Sequence, residues 1–220
     1  MPQPSPRNLN LWKRGLGRVP DSVWDQKELE TLVLANNGLT EVSERIGRLK
    51  QLRMLDLGHN QLTAVPDAIG ELDGLTDFLY LHDNRLTALP DSFGKLTKLR
   101  YLNLSENAFC ELPEQVTSLA SLFELRISDN QLTALPDAIG RLGRLRELHL
   151  RNNKLTSLPE SVGQLKELRQ LDLRGNPLIR LPDVLATLPR LEKLDLRWVE
   201  PLEPPVWLAK LEERGCAVYL

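Results

Sequence analysis

An asparagine returns every 23 or 24 residues through most of the chain, at Asn37, Asn60, Asn84, Asn107, Asn130, Asn153 and Asn176. A chain built from one short unit has to stack its copies, so this period constrains the fold more than any other feature. The copies agree closely: NQLTAVPDAIG (60–70) and NQLTALPDAIG (130–140) match at ten of eleven positions. Around each asparagine lies the frame L-x-x-L-x-L-x-x-N-x-L, as in LRMLDLGHNQL (52–62), LRYLNLSENAF (99–109) and LRELHLRNNKL (145–155). Leucines two apart, such as Leu55 and Leu57, share one face of a strand. A single strand of this kind cannot bury them, but parallel copies stacked about 4.8 Å apart make a continuous leucine core.

The other fixed positions fit the same scheme. The asparagine amide holds both donors and acceptors, so it satisfies backbone groups where the chain turns inward, and stacked copies form a ladder. Pro66, Pro90, Pro113, Pro136, Pro159 and Pro182 lie on the return path. There the fixed φ and missing donor suit a short helical or extended segment outside the sheet. Gly70, Gly94, Gly140 and Gly163 read as points of close packing or turning on that outer side. One 24-residue unit carries an extra residue between Leu75 and Leu79. Counting back from Asn84 turns Leu79 and Leu81 inward, and the extra residue becomes a bulge or looser turn before Phe78.

The expected architecture is one α/β domain spanning residues 1–220: a right-handed solenoid with a curved parallel sheet inside and short helices or turns outside. Residues 1–28 form an N-terminal cap with an atypical first unit, in which Arg14 stands where the asparagine belongs and Trp24 covers the first coil. Residues 29–190 hold the seven asparagine-bearing units. Residues 191–220 form an atypical last unit with Val199 at the asparagine position, then a cap. In that cap PPVWLAKLEERG reads as a short helix, Pro205 near its start and Gly215 just past its end, and CAVYL as a further strand.

This pattern resembles the leucine-rich repeat family along nearly the whole chain. The half-unit L-P-x-x-(I/V)-G-x-L resembles the subclass found in bacterial proteins and in intracellular plant and animal proteins that scaffold Ras-type GTPase signalling. The resemblance implies a protein–protein interaction module or scaffold, with a small GTPase or other signalling protein among the partners it suggests. The alternative it implies is a bacterial effector-type recognition protein that works in trans with a separate enzymatic domain.

Bulk properties narrow the field. A net charge of −2, from 28 basic and 30 acidic residues, gives no general attraction to nucleic acid or anionic membrane. The N-terminal MPQPSPRNLN has no apolar core of signal-peptide type, and no run approaches the roughly 20 apolar residues that span a bilayer. Cys110 and Cys216 follow no metal or redox spacing. A reduced, cytoplasmic, monomeric protein is expected. No phosphate-binding loop, dinucleotide glycine motif or zinc spacing is present, so no enzyme, cofactor or metal is expected. His59, His82, Asp56 and Asp83 approach one another across two strands, but on a wide outward face they read as solvated histidines.

If the leucines face the core, the residues between and after them face the concave side. In strand order the position before the first strand leucine reads Asn8, Thr31, Met54, Phe78, Tyr101, Glu124, Glu147, Gln170, Lys193. The position between the leucines reads Asn10, Val33, Asp56, Tyr80, Asn103, Arg126, His149, Asp172, Asp195. Two patches emerge. Met54, Phe78, Tyr80, His82 and Tyr101 come from three consecutive units, and Arg126, His149, Arg151, Arg174 and Arg197 make the C-terminal half basic. Asp83, Glu106 and Asp129 line one edge. Aromatic anchors inside a charged rim are the composition of a protein-binding hot spot. Nine strands give a face about 40 Å long, enough for a protein or an extended peptide. The bland readings stay open beside these. Aromatics on neighbouring strands also brace a sheet, and the arginines also suit simple pairing with Asp172, Asp195 and Glu147 on a solvated face.

Overall fold

The computed structural model describes residues 7–220; the N-terminal segment that the repeat leaves over lies, apart from Arg7, outside the described residues. Ten three-residue strands form one parallel sheet in chain order. They are β1 Asn8–Asn10, β2 Thr31–Val33, β3 Met54–Asp56, β4 Phe78–Tyr80, β5 Tyr101–Asn103, β6 Glu124–Arg126, β7 Glu147–His149, β8 Gln170–Asp172, β9 Lys193–Asp195 and β10 Ala217–Tyr219. The register pairs equivalent positions throughout: Met54 with Phe78, Phe78 with Tyr101, Leu79 with Leu102. Leu79 and Leu81 are fully buried while Phe78 is 44% exposed, so the asparagine frame, and not the frame slipped by one residue, sets the register.

From β1 to β9 each outer segment is a 3-10 turn of five residues or fewer, such as Asp67–Glu71, Asp91–Lys95 and Asp137–Arg141. An extended proline precedes most of them, as with Pro66 at ψ 153°, and a backbone bond such as Leu72 N–H to Ile69 O closes the turn. Between that proline and the next strand there is room for one tight turn only. Ile69, Phe93, Val116, Ile139 and Val162 point from these turns onto the strand leucines and close one continuous core. A 3-10 turn is bulkier than a single strand, so the outer side spreads and the sheet bends with its strands inside.

The asparagine ladder is fully formed. Nδ2 of Asn60 donates to Leu57 O, Gly58 O and, in the preceding coil, Leu34 O. Its Oδ1 accepts from Asn37 N and Leu39 N. The three Nδ2 donations recur to Asn176, while from Asn84 onward Oδ1 accepts one amide, as from Leu155 N at Asn176. At the N-terminal end, where Arg14 stands in the asparagine slot, Asn37 Oδ1 accepts from Arg14 N and Leu16 N, and Trp24 is 1% exposed. At the other end the helix α1 runs Leu208–Glu213, with Gly215 beyond it at φ +88°.

Among the outer glycines, a Cβ at Gly70 would meet Ser92 O at 2.1 Å and one at Gly140 would meet Gln164 Oε1 at 2.4 Å. Gly94 differs from expectation: its nearest neighbour would be 3.6 Å away, so no close approach requires it. Cys110, on the turn after Phe109, is exposed. The extra residue of the 24-residue unit is absorbed before β4. Elsewhere one carbonyl serves two successive amides of the next coil, as Arg100 O does for Phe123 and Glu124. Here Thr76 O takes Arg100 N–H and Asp77 O takes Tyr101 N–H.

Candidate functional site

On the concave face the aromatic group assembles as the register requires. Ring centroids lie 5.5 Å apart for Phe78 and Tyr101, 5.0 Å for Tyr80 and Tyr101, and 6.1 Å for Phe78 and Tyr80. Met54 sits directly beside Phe78 on β3. His82 extends the group, 6.0 Å from Tyr80. Tyr80 and Tyr101 are half-buried by one another. Burial, assisted by the charges of Asp56 and Glu124, raises the Tyr80 pKa; burial pushes Tyr101 up to about 12. Both phenols therefore stay O–H donors at neutral pH.

The basic half is largely neutralised within the chain. Arg174 forks onto Asp172 through Nε at 2.9 Å and Nη2 at 2.5 Å. Arg197 forks onto Asp195 at 2.9 and 2.8 Å. Asp195 is fully buried. Burial would raise its pKa, but the hydrogen bonds from Arg197 and the charges of Arg174 and Arg197 outweigh that and lower it. Arg126 donates to Glu124 at 2.5 Å. His149 lies 3.2 Å from Glu147 and 3.8 Å from Glu124, so it joins an acidic pair more than a basic column. Of Arg126, Arg151, Arg174 and Arg197, Arg151 alone has no carboxylate partner among the described residues.

Two features escaped the sequence reading. Phe123 lies between Arg100 and Arg146, their guanidinium carbons 5.9 and 4.9 Å from its ring centre. With Arg53, Asp77, Phe78, Tyr101 and Glu124, Phe123 and Arg100 line a groove of about 490 Å³ at the edge where the strands begin. The signal was present one column earlier in the repeat: Arg7, Glu30, Arg53, Asp77, Arg100, Phe123, Arg146, Arg169, Glu192. The second is a left-handed backbone at the residue before each asparagine, including Asn36, His59, Asp83, Glu106, Asp129 and Asn152 with φ between 49° and 58°. The frequent Asn and Asp there mark that conformation. The edge line of Asp83, Glu106 and Asp129 is thus partly a backbone requirement.

The concave histidines are not simply solvated. His59 Nδ1 is 2.7 Å from Asp83 Oδ2, and its Nε2 is 3.2 Å from His82 Nε2. Asp56 turns away to accept from Gly58 N. Among the described residues no helix is long and apolar enough to cross a membrane.

A leucine rich repeat model matches residues 7–62, 27–86 and 143–198, and a leucine-rich repeat region model matches residues 89–154. No curated protein matches. Among solved structures the chain is similar to a leucine-rich repeat protein of Leptospira interrogans, with 28% identity, TM-score 0.77, and coverage of 99% of this chain and 66% of that one. It is similar to the ectodomain of the Arabidopsis thaliana receptor kinase GASSHO1/SCHENGEN3, in complex with CASPARIAN STRIP INTEGRITY FACTOR 2, at 31% identity and TM-score 0.79, over 92% of this chain and 25% of that one. The leucine-rich repeat domain of the type III effector XopL matches at 26% identity and TM-score 0.74, over 99% and 77%. The chain thus spans less than two thirds of the length of the first two.

Proposed function

Because this chain belongs to the leucine-rich repeat family, we propose that it is a recognition module that binds a protein or extended peptide along its concave face. The observation that carries this reading is the packing of Phe78, Tyr80 and Tyr101 on one another outside the core, with Phe78 44% exposed. A sheet whose leucines are already buried gains little by placing an open phenylalanine on its wet side. A partner that covers it gains an anchor. Met54 and His82 extend that anchor. Arg126, His149, Arg151, Arg174 and Arg197 form its polar flank, in which Arg151 is the arginine left to meet a partner's carboxylate. The GASSHO1/SCHENGEN3 ectodomain, in a complex with a partner of its own, is consistent with this use of the fold.

The finer reading is a monomeric, cytoplasmic, non-catalytic scaffold in signalling, organised as one domain with caps at 1–28 and 191–220, and with a Ras-type GTPase among its candidate partners. The second reading, favoured by the similarity to the XopL repeat domain, is an effector-type recognition protein whose enzymatic domain lies elsewhere. Affinity capture from the native lysate tests the binding reading. The wild type, a Phe78→Ser/Tyr80→Ser/Tyr101→Ser variant and a convex-face control such as Gln115→Ser are compared. A specific protein held by the wild type and the control, and lost by the triple variant, is expected. Equal capture by all three rejects the aromatic group as the anchor.

A further inference from the structure

His59 and His82 stand at the end of the aromatic group, where β3 and β4 run into their turns. Their Nε2 atoms are 3.2 Å apart. Nδ1 of His59 lies 2.7 Å from Asp83 Oδ2. An ionised carboxylate only accepts, so Nδ1 of His59 carries the proton and, in the neutral ring, Nε2 holds the lone pair. We infer that Nε2 of His59 and Nε2 of His82 form a two-point site for a divalent transition metal of the Zn²⁺ class, with Asp83 orienting the first imidazole.

The bite suits such an ion. A zinc ion about 2.05 Å from each nitrogen subtends an angle of about 100° between atoms 3.2 Å apart, near the tetrahedral value of about 109° that zinc prefers. The ring centroids are 4.6 Å apart. Sharing one ion places them about 5 Å apart, whereas a head-on N–H···N hydrogen bond places them about 5.5 Å apart. The ring planes lie 80° apart in an edge-to-face contact, so the two rings do not meet end to end.

The supports are also in place. A metal-binding histidine usually donates its other ring N–H to a carboxylate, which fixes its tautomer and orientation; Asp83 is that carboxylate for His59. His82 is seated by Gly58: a Cβ there would come within 2.4 Å of His82 Cε1. The ring lies against bare backbone, with its Nδ1 buried and without a hydrogen-bond partner. The remaining coordination positions open to the concave channel, for water or a partner's side chain. Among the described residues one group of three has its ligand atoms in mutual reach, Glu124, Glu147 and His149. There Arg126 is hydrogen-bonded to Glu124 and its charge opposes a cation.

This inference goes beyond the partner-binding reading, and the failure of one leaves the other standing. The test is titration of the whole chain with Zn²⁺ by isothermal calorimetry near pH 7.5. One equivalent is expected to bind. His59→Asn, chosen because asparagine tolerates the φ of 53° at this position, and His82→Asn should each weaken it tenfold or more. Gly58→Ala should weaken it without removing a donor atom. Asp83→Asn should weaken it by roughly tenfold, and His149→Asn should leave it unchanged. Zinc-induced shifts of the imidazole proton resonances check the site in unmutated protein: two of the three histidines should move. The inference is overturned if the wild type shows no saturable binding, if binding survives in both His59→Asn and His82→Asn, or if only the His149 signals respond.

Discussion

Replacing Asn130 with alanine should lower stability by about 2 kcal/mol, and the hydrogen bonds around it set that figure. Nδ2 of Asn130 donates to Leu104 O, Ile127 O and Ser128 O, and Oδ1 accepts from Phe109 N at 3.0 Å. The three carbonyls keep other donors after truncation. Asn107 still serves Leu104 O, Asn153 still serves Ile127 O, and Glu106 N still serves Ser128 O. Only the Phe109 N–H loses its partner, beside a fully buried ring. One stripped, buried donor costs about 1–3 kcal/mol. With a urea m-value of about 1–3 kcal/mol/M, the denaturation midpoint should fall by roughly 1 M. Asn107→Ala should behave alike, since Asn107 Oδ1 holds Leu86 N–H at 2.9 Å. Asn130→Asp sharpens the test. It keeps the shape but sets a carboxylate oxygen among three carbonyl oxygens, so it should cost more than alanine. A buried carboxylate of this kind has a raised folded pKa, so its deficit should grow as pH rises through the ordinary aspartate range. Unchanged midpoints for both alanine variants, or a harmless Asn130→Asp, would refute the ladder as a source of stability.

Leu104→Ala should cost about 2–5 kcal/mol, more than the Phe78→Ser/Tyr80→Ser/Tyr101→Ser triple change, as thermal melts of both will read. Asp195→Asn should cost about 1–3 kcal/mol at pH 7, through the loss of charged hydrogen bonds to Arg197. Because the folded pKa of Asp195 lies below the ordinary value of 3.8, its contribution is present above that value and is lost as pH falls through the folded pKa. The gap between wild type and variant should therefore close in acid. Gly70→Ala should cost about 1–3 kcal/mol by driving a Cβ against Ser92 O. Gly94→Ala should stay within about 0.5 kcal/mol, a contrast that denaturation curves resolve.

The backbone plan was readable from the sequence because two periods reinforce each other. The two-residue alternation of Leu79 and Leu81 sets which way each side chain points, and the 23-residue return of asparagine sets which strand lies beside which. Those two facts also placed Phe78, Tyr80 and Tyr101 together. What escaped depended on partners rather than periods. Pairing of Arg174 and Arg197 with Asp172 and Asp195 was one of two open readings, and the choice between them follows from rotamers that spacing does not encode. The approach of His59 and His82 was legible, but not the seat that Gly58 gives the His82 ring, because its contribution is a missing side chain. Phe123, with Arg100 and Arg146, sits one residue ahead of the strand positions, where the chain is still curving in from the convex side, and counting from the leucines passed over it.

Photo-crosslinking from the concave face tests the central claim most directly. A benzophenone side chain is placed at position 78, at position 101 and, as a convex control, at position 115, and each protein is irradiated in native lysate before mass spectrometry. Recognition through the aromatic group requires one and the same protein joined at positions 78 and 101, with its crosslinked residues in a single segment, and not joined at 115. A partner captured at 115 and absent at 78 and 101 would contradict the account and move recognition to the convex side.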